Sequence, residues 1–163
     1  MVERAGEHDL IPMARELGLG VVPYSPLAGG VLTGKYGRDD LAAAGAGDGT
    51  RRSFNPALGT VTERNLAVAD AVREVAAELG RSSAQVALAW TLRNPAVTAP
   101  VVGARTPSQL ADNLGALDVE LTASQLARLD AASAIGLGYP HDMLTGGHIR
   151  EVMTGGLRIE PRR

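Results

Sequence analysis

The chain contains no cysteine, which excludes disulfides and thiolate-bound metal. Aromatic side chains amount to 3%, with one Trp, one Phe and three Tyr. The core must therefore be built from Leu, Val and Ala, and there is no aromatic platform on which nucleobases could stack. Lysine is nearly absent as well: Lys35 stands alone against fifteen arginines. The excess of Arg, Ala and Gly reads as the codon bias of a GC-rich genome, and it makes the lone lysine conspicuous. A net charge of −2 without a basic run argues against a nucleic-acid partner. No apolar stretch approaches the ~20 residues of a membrane span. The opening Met1-Val2-Glu3-Arg4-Ala5-Gly6-Glu7-His8-Asp9 is charged and has no hydrophobic signal core. The expectation is a cytoplasmic protein that engages neither membrane nor nucleic acid.

What is present is ordinary in bulk. With 163 residues, 45% apolar and 21% charged, the chain has room for one domain with a real core, covering 1–163. Helix starts recur as Ser or Thr followed three residues later by Glu or Gln: Thr60 with Glu63, Ser82 with Gln85, Thr106 with Gln109, Thr122 with Gln125. The first precedes the stripe Val68, Val72, Val75, Leu79 and stops at Gly80. The second runs to Asn94-Pro95, and the third has Pro107 at its first helical position. An opening helix is expected over 9–17. Leu19 to Tyr24 and Thr98 to Val102 are short apolar runs without alternation, the pattern of parallel strands buried on both faces. Helix and strand therefore alternate, an α/β order. Residues 37–59 read as a long mobile loop and 135–163 as an irregular, glycine-punctuated tail with a periodic stretch near His148 to Met153.

Two segments carry candidate chemistry. In Val21-Val22-Pro23-Tyr24-Ser25-Pro26-Leu27-Ala28-Gly29-Gly30, followed by Thr33-Gly34-Lys35-Tyr36, a strand ends in a Ser-Pro turn, then glycines and one cation. A plain turn and a phosphate clasp both fit this order, since glycines let backbone approach an anion. Pro100-Val101-Val102-Gly103-Ala104-Arg105-Thr106-Pro107 repeats the plan, with Arg105 just ahead of a helix N-terminus that favours anions. Gln109 and Asn113 lie four apart on one helix face, although Gln109 also serves the capping box. His141-Asp142 with His148 lacks a third ligand and reads as a solvated tail, so no metal site is expected. Ser25, Ser82 and Ser83 have no nucleophile-elbow context. Gly18-Leu19-Gly20 precedes its strand and is no dinucleotide fingerprint. Asp39, Asp40, Glu3, Glu7 and Asp9 read as surface acids.

In combination these segments resemble the aldo-keto reductases. Arg15-Glu16-Leu17-Gly18-Leu19-Gly20-Val21 through Tyr36 is similar to that family's sixth helix, seventh strand and phosphate loop. Ser83-Ala84-Gln85-Val86-Ala87-Leu88-Ala89-Trp90 resembles its seventh helix, and Val101 to Asn113 its eighth strand and helix. The likeness covers roughly residues 3–135, in family order. It implies part of a (β/α)8 TIM barrel, a C-terminal fragment with strands 7 and 8. It implies an NADP-dependent carbonyl/alcohol oxidoreductase. Tyr24, Ser25, Pro26, Leu27, Ala28, Gly29 and Lys35 would hold the nicotinamide and pyrophosphate end. Gly103, Arg105, Gln109, Asp112 and Asn113 would hold the adenosine 2′-phosphate and adenine end. The family's catalytic Tyr, Lys, Asp and His come from its first four strands, so no residue here is assigned a catalytic role. The resemblance thus leaves two expectations: a cofactor-holding half that needs a complementary N-terminal half-barrel or self-associates, or a non-catalytic nucleotide-binding pseudoenzyme or truncated product.

Overall fold

A computed structural model describes residues 1–41, 55, 59–136 and 138–157. Helix α1 spans Leu10–Glu16, α2 Glu63–Leu79, α3 Ser83–Leu92, α4 Pro107–Leu114 and α5 Ala123–Ala132. Two further helices follow, α6 at His141–Thr145 and α7 at Gly147–Thr154, where the sequence reads as an irregular tail. The 3-10 turns Ala28–Thr33 and Gly115–Asp118 complete the set that matters for the site. Most of the expected loop over 37–59 lies outside the described residues.

Three of the four helix starts form as read. Ser82 and Thr122 close full capping boxes with Gln85 and Gln125, and Thr106 accepts the N–H of Gln109. The first is displaced: Thr62, not Thr60, caps α2, accepting the N–H of Asn65 at 3.1 Å. Thr60 instead uses its carbonyl to receive the Asn65 side-chain amide, at 2.9 Å. At the far end Gly80 takes the left-handed conformation, φ 60°, that ends a helix without the clash a Cβ would bring.

Helix α2 is the centre of the core. Its stripe of Leu66, Val68, Val72 and Val75 is buried against Val31 and Leu32 of the 28–33 turn, Val86 and Ala89 of α3, and Leu121 and Leu129 beside and within α5. Helix α3 is covered almost all round, with Ala84, Val86, Ala87, Leu88, Ala89 and Thr91 buried. That follows from its apolar sequence and its place between α2 on one side and α4 with the 115–118 turn on the other.

The strands depart most from the sequence reading. The two runs do meet in parallel, but only as single bridges, Val21 with Val97 and Tyr24 with Val101. Thr98 donates to the Val21 carbonyl at 2.8 Å and Val101 to that of Pro23 at 2.9 Å. Pro23 and Pro100 supply no N–H, so the ladder cannot run on between these contacts. Nor are the runs buried on both faces: Val22, Tyr24 and Val101 are exposed. Among the described residues the two segments pair only with each other, which leaves an outer face uncovered.

Candidate functional site

Past the Tyr24 bridge the backbone turns through an unusual series. Ser25 (φ 53°) and Ala28 (φ 50°) are non-glycine residues in the left-handed region, and Gly29, Gly30 and Gly34 also have positive φ. Each non-glycine excursion costs on the order of 1–2 kcal/mol and persists only where neighbours enforce it. The enforcing contacts are visible. Ala28 donates to the Ser25 carbonyl and Gly30 to that of Leu27, both at 2.8 Å. Asn55, 5% exposed, donates its amide to the Gly29 carbonyl at 2.8 Å and to the Tyr36 hydroxyl at 2.9 Å. A Cβ on Gly29 would stand 2.5 Å from that amide nitrogen, and one on Gly30 would stand 2.6 Å from Lys35 Nζ. The glycines therefore admit Asn55 and Lys35, close neighbours within the protein itself. The Lys35 ammonium lies back over the turn, 5.1 Å from the Tyr36 ring centre.

The opposite wall begins at Val102. Thr106 caps α4, and the Gln109 side-chain oxygen accepts the N–H of Arg105 at 2.9 Å, so that oxygen is occupied by its own helix start. The Arg105 side chain is exposed and has no ion-pair partner among the described residues. Asn113 is the reverse case, 9% exposed and without a side-chain hydrogen bond to any described residue. Asp112 receives the Ser82 hydroxyl on its carboxylate at 2.8 Å and the Gln85 amide on its carbonyl at 3.0 Å.

These walls enclose one cleft of about 590 Å³. Ser25, Pro26, Leu27, Gly29 and Lys35 line one side, and Gly103, Arg105, Gln109, Asp112 and Asn113 the other. Two residues predicted for it are elsewhere. Ala28 is buried in the core, and Tyr24, 85% exposed, borders a smaller hollow of about 180 Å³ near Arg4 and Trp90. The structure adds Gly30, Thr33, Ser82, Ser83, Ala84, Val102 and Ala104 to the lining. Ser82 to Ala84 were legible only as a helix cap, because what brings the α3 start to the cleft is packing across 30 residues of sequence. The floor is therefore framed by two helix N-termini, those of α3 and α4, with Lys35 and Arg105 beside them. Backbone N–H groups and cations so placed favour a ligand with more than one anionic group.

The remaining candidates take structural places. Asp40, read as a surface acid, is 5% exposed and accepts the Gly37 N–H at 2.8 Å. Glu7 pairs with Arg4 at 2.7 Å, and that hydrogen bond chiefly holds the Arg4 guanidinium above its usual pKa. Asp142 accepts the Gly138 N–H, and the His141 ring lies 5.7 Å from that of His8.

The chain is similar to known proteins over most of its length. The model of the aldo/keto reductase family matches residues 1–134. An uncharacterized oxidoreductase of Bacillus subtilis is 40% identical over 130 residues, 80% of this chain and 37% of that protein. A probable voltage-gated potassium channel subunit beta of Oryza sativa is 36% identical over 69% of this chain and 34% of its own length. Norsolorinic acid reductase B of Dothistroma septosporum is 30% identical over 86% of this chain and 34% of its own length. The chain thus spans little more than a third of these curated relatives. By the extent of the family match, the chain belongs to the aldo/keto reductase family.

Proposed function

We propose that this chain is the NADP(H)-holding, C-terminal part of a (β/α)8-barrel carbonyl/alcohol oxidoreductase in the cytoplasm. One observation carries the reading: nearly all the residues expected to hold the cofactor line one cleft, opposite walls supplying Lys35 and Arg105. The residues fit such a group. Lys35 acts as a point charge for the pyrophosphate, and Arg105 offers a planar fork to the 2′-phosphate. Asn113 lines the cleft and presents an amide, engaged by no described residue, that is able to pair with a heterocycle. Gly103 keeps its wall open, since a Cβ there would meet no atom within 4 Å. When bound, the reduced nicotinamide supplies the hydride for a carbonyl. This chain binds and orients the cofactor. The proton donor and its Lys, Asp and His supports belong to barrel strands outside it. Tyr36 does not substitute for them, because it is buried in the core and does not line the cleft.

The test is fluorescence titration with NADPH and NADH, beside an NADPH-oxidation assay on a panel of aldehydes. A charge-assisted contact to the 2′-phosphate is worth roughly 1.5–3 kcal/mol, so NADPH should bind one to two decades more tightly. No aldehyde should be reduced, because transition-state stabilisation needs a positioned acid. Equal affinities reject the 2′-phosphate reading, and turnover by this chain alone rejects the division of labour. A second reading, a nucleotide-binding subunit without catalysis of its own, draws support from the channel-subunit name of one relative. In-frame βα units in the DNA upstream of Met1 would favour the enzyme reading, and their absence the subunit.

A further inference from the structure

Asp112 stands in the cleft among the residues that would face adenosine, yet its bonds point into the protein. The Ser82 hydroxyl donates to its carboxylate at 2.8 Å, and Gln85 Nε2 donates to its backbone carbonyl at 3.0 Å. Ser82 and Gln85 are themselves locked by the reciprocal cap of α3, Gln85 N to Ser82 Oγ at 3.1 Å and Ser82 N to Gln85 Oε1 at 3.2 Å. One serine oxygen therefore accepts from its own helix and donates to the next. Gly115 makes room for this: a Cβ there would lie 2.3 Å from Gln85 Nε2, although its φ of −60° would suit any residue.

We infer that Ser82 and Gln85 clamp α3 to α4 through Asp112, and so hold the Asp112–Asn113 pair in place at the adenosine end of the cleft. This rests on the nucleotide reading of the cleft. The Ser82 hydroxyl fixes the Asp112 carboxylate through one oxygen, and the adjacent Asn113 amide has no partner among the described residues. Ser82 is thus a positioning residue for the adenosine end, acting through another side chain.

A double-mutant cycle tests it in the full chain, with 2′,5′-ADP as the adenosine-end probe and reduced nicotinamide mononucleotide as the other half. Ser82→Gly removes the hydroxyl but costs the helix cap little, since glycine is itself tolerated at an N-cap. Ser82→Gly and Asp112→Ala should each weaken 2′,5′-ADP about tenfold, the size of one hydrogen bond to a charged group, and the double variant no further. Reduced nicotinamide mononucleotide should bind all variants alike, and Ser82→Thr, which keeps the hydroxyl, should restore the parent value. Losses that multiply in the double variant would show that Ser82 acts independently of Asp112 and overturn the clamp. So would a Ser82→Gly chain that binds 2′,5′-ADP normally. Failure of the parent to bind either probe would instead remove the nucleotide reading itself, and the clamp's role with it.

Discussion

The layer around α2 and the face outside the two strand segments are built from the same residue types to opposite ends. In the first, Val31, Leu32, Val72, Val75 and Val86 are wholly buried. In the second, Val22, Tyr24 and Val101 are open, as are Leu110 and Leu114 of α4, Leu10 and Met13 of α1, and Leu17 just after it. Hydrophobicity alone does not decide burial; the presence of an opposing element does. The α2 stripe meets the 28–33 turn, α3 and α5, while the strand segments meet each other and stop at prolines. Among the described residues these stripes have no element against their apolar side, which makes them candidate contact surfaces. That agrees with a chain spanning little more than a third of its relatives.

The sharpest way to break this contrast is to delete mass on each side of it. Leu32→Ala should destabilise the chain by about 2–5 kcal/mol, the cost of a cavity at a site without solvent access. Leu110→Ala should cost no more than about 1 kcal/mol, because the leucine is already 44% exposed. Urea unfolding of both variants decides; similar losses would mean the open face is packed in solution. Next in size is a pure affinity effect. Arg105→Ala should erase most of the preference for NADPH, roughly 1.5–3 kcal/mol, with little change in NADH binding or melting temperature. Lys35→Ala should weaken both cofactors alike, since both carry the pyrophosphate. An Arg105→Ala chain that still prefers NADPH would leave Thr106, Pro107 and Gln109 as helix punctuation only.

A third test concerns association. The open face predicts self-association of the parent in analytical ultracentrifugation, and Leu110→Ser with Leu114→Ser should reduce it while leaving the melt nearly unchanged. A compact monomeric parent with a cooperative melt would remove the bare-face argument. The smallest effect is one of pH. Arg128 and then Gln125 hydrogen-bond Glu78 and hold its carboxyl below the usual glutamate pKa. That support is present above the unfolded glutamate value and fades as pH falls through the lower folded one. Because the pair is open to solvent, Glu78→Gln should only slightly flatten the acid side of the stability profile.

Local features were the legible ones. Ser82, Thr106 and Thr122 announce their helices because a cap is decided within four residues. Thr60 misled because Thr62 lies in the same stretch and caps with Asn65, a residue outside the Glu/Gln signature. The cleft was legible through its Ser-Pro-glycine turn and its Arg-Thr-Pro helix start. Asn55 was not, because it reaches Gly29 across 26 residues, and Asp40 was not, because only packing distinguishes it from the adjacent surface acid. The strands were overread: apolar runs suggested a continuous ladder, but each carries a proline that interrupts donation.

The knot around Arg4 has a consequence for how this segment can be handled. Arg4 reaches Glu7, the Ser133 hydroxyl at 2.9 Å and the face of Trp90, joining the start of the chain to the close of α5. Residues 4 and 133 are thereby neighbours in space, and they nearly bracket the family match at 1–134. A stretch whose two ends meet can be circularly permuted with a short linker, without stretching its backbone. Arg4 marks the place where such a linker would sit.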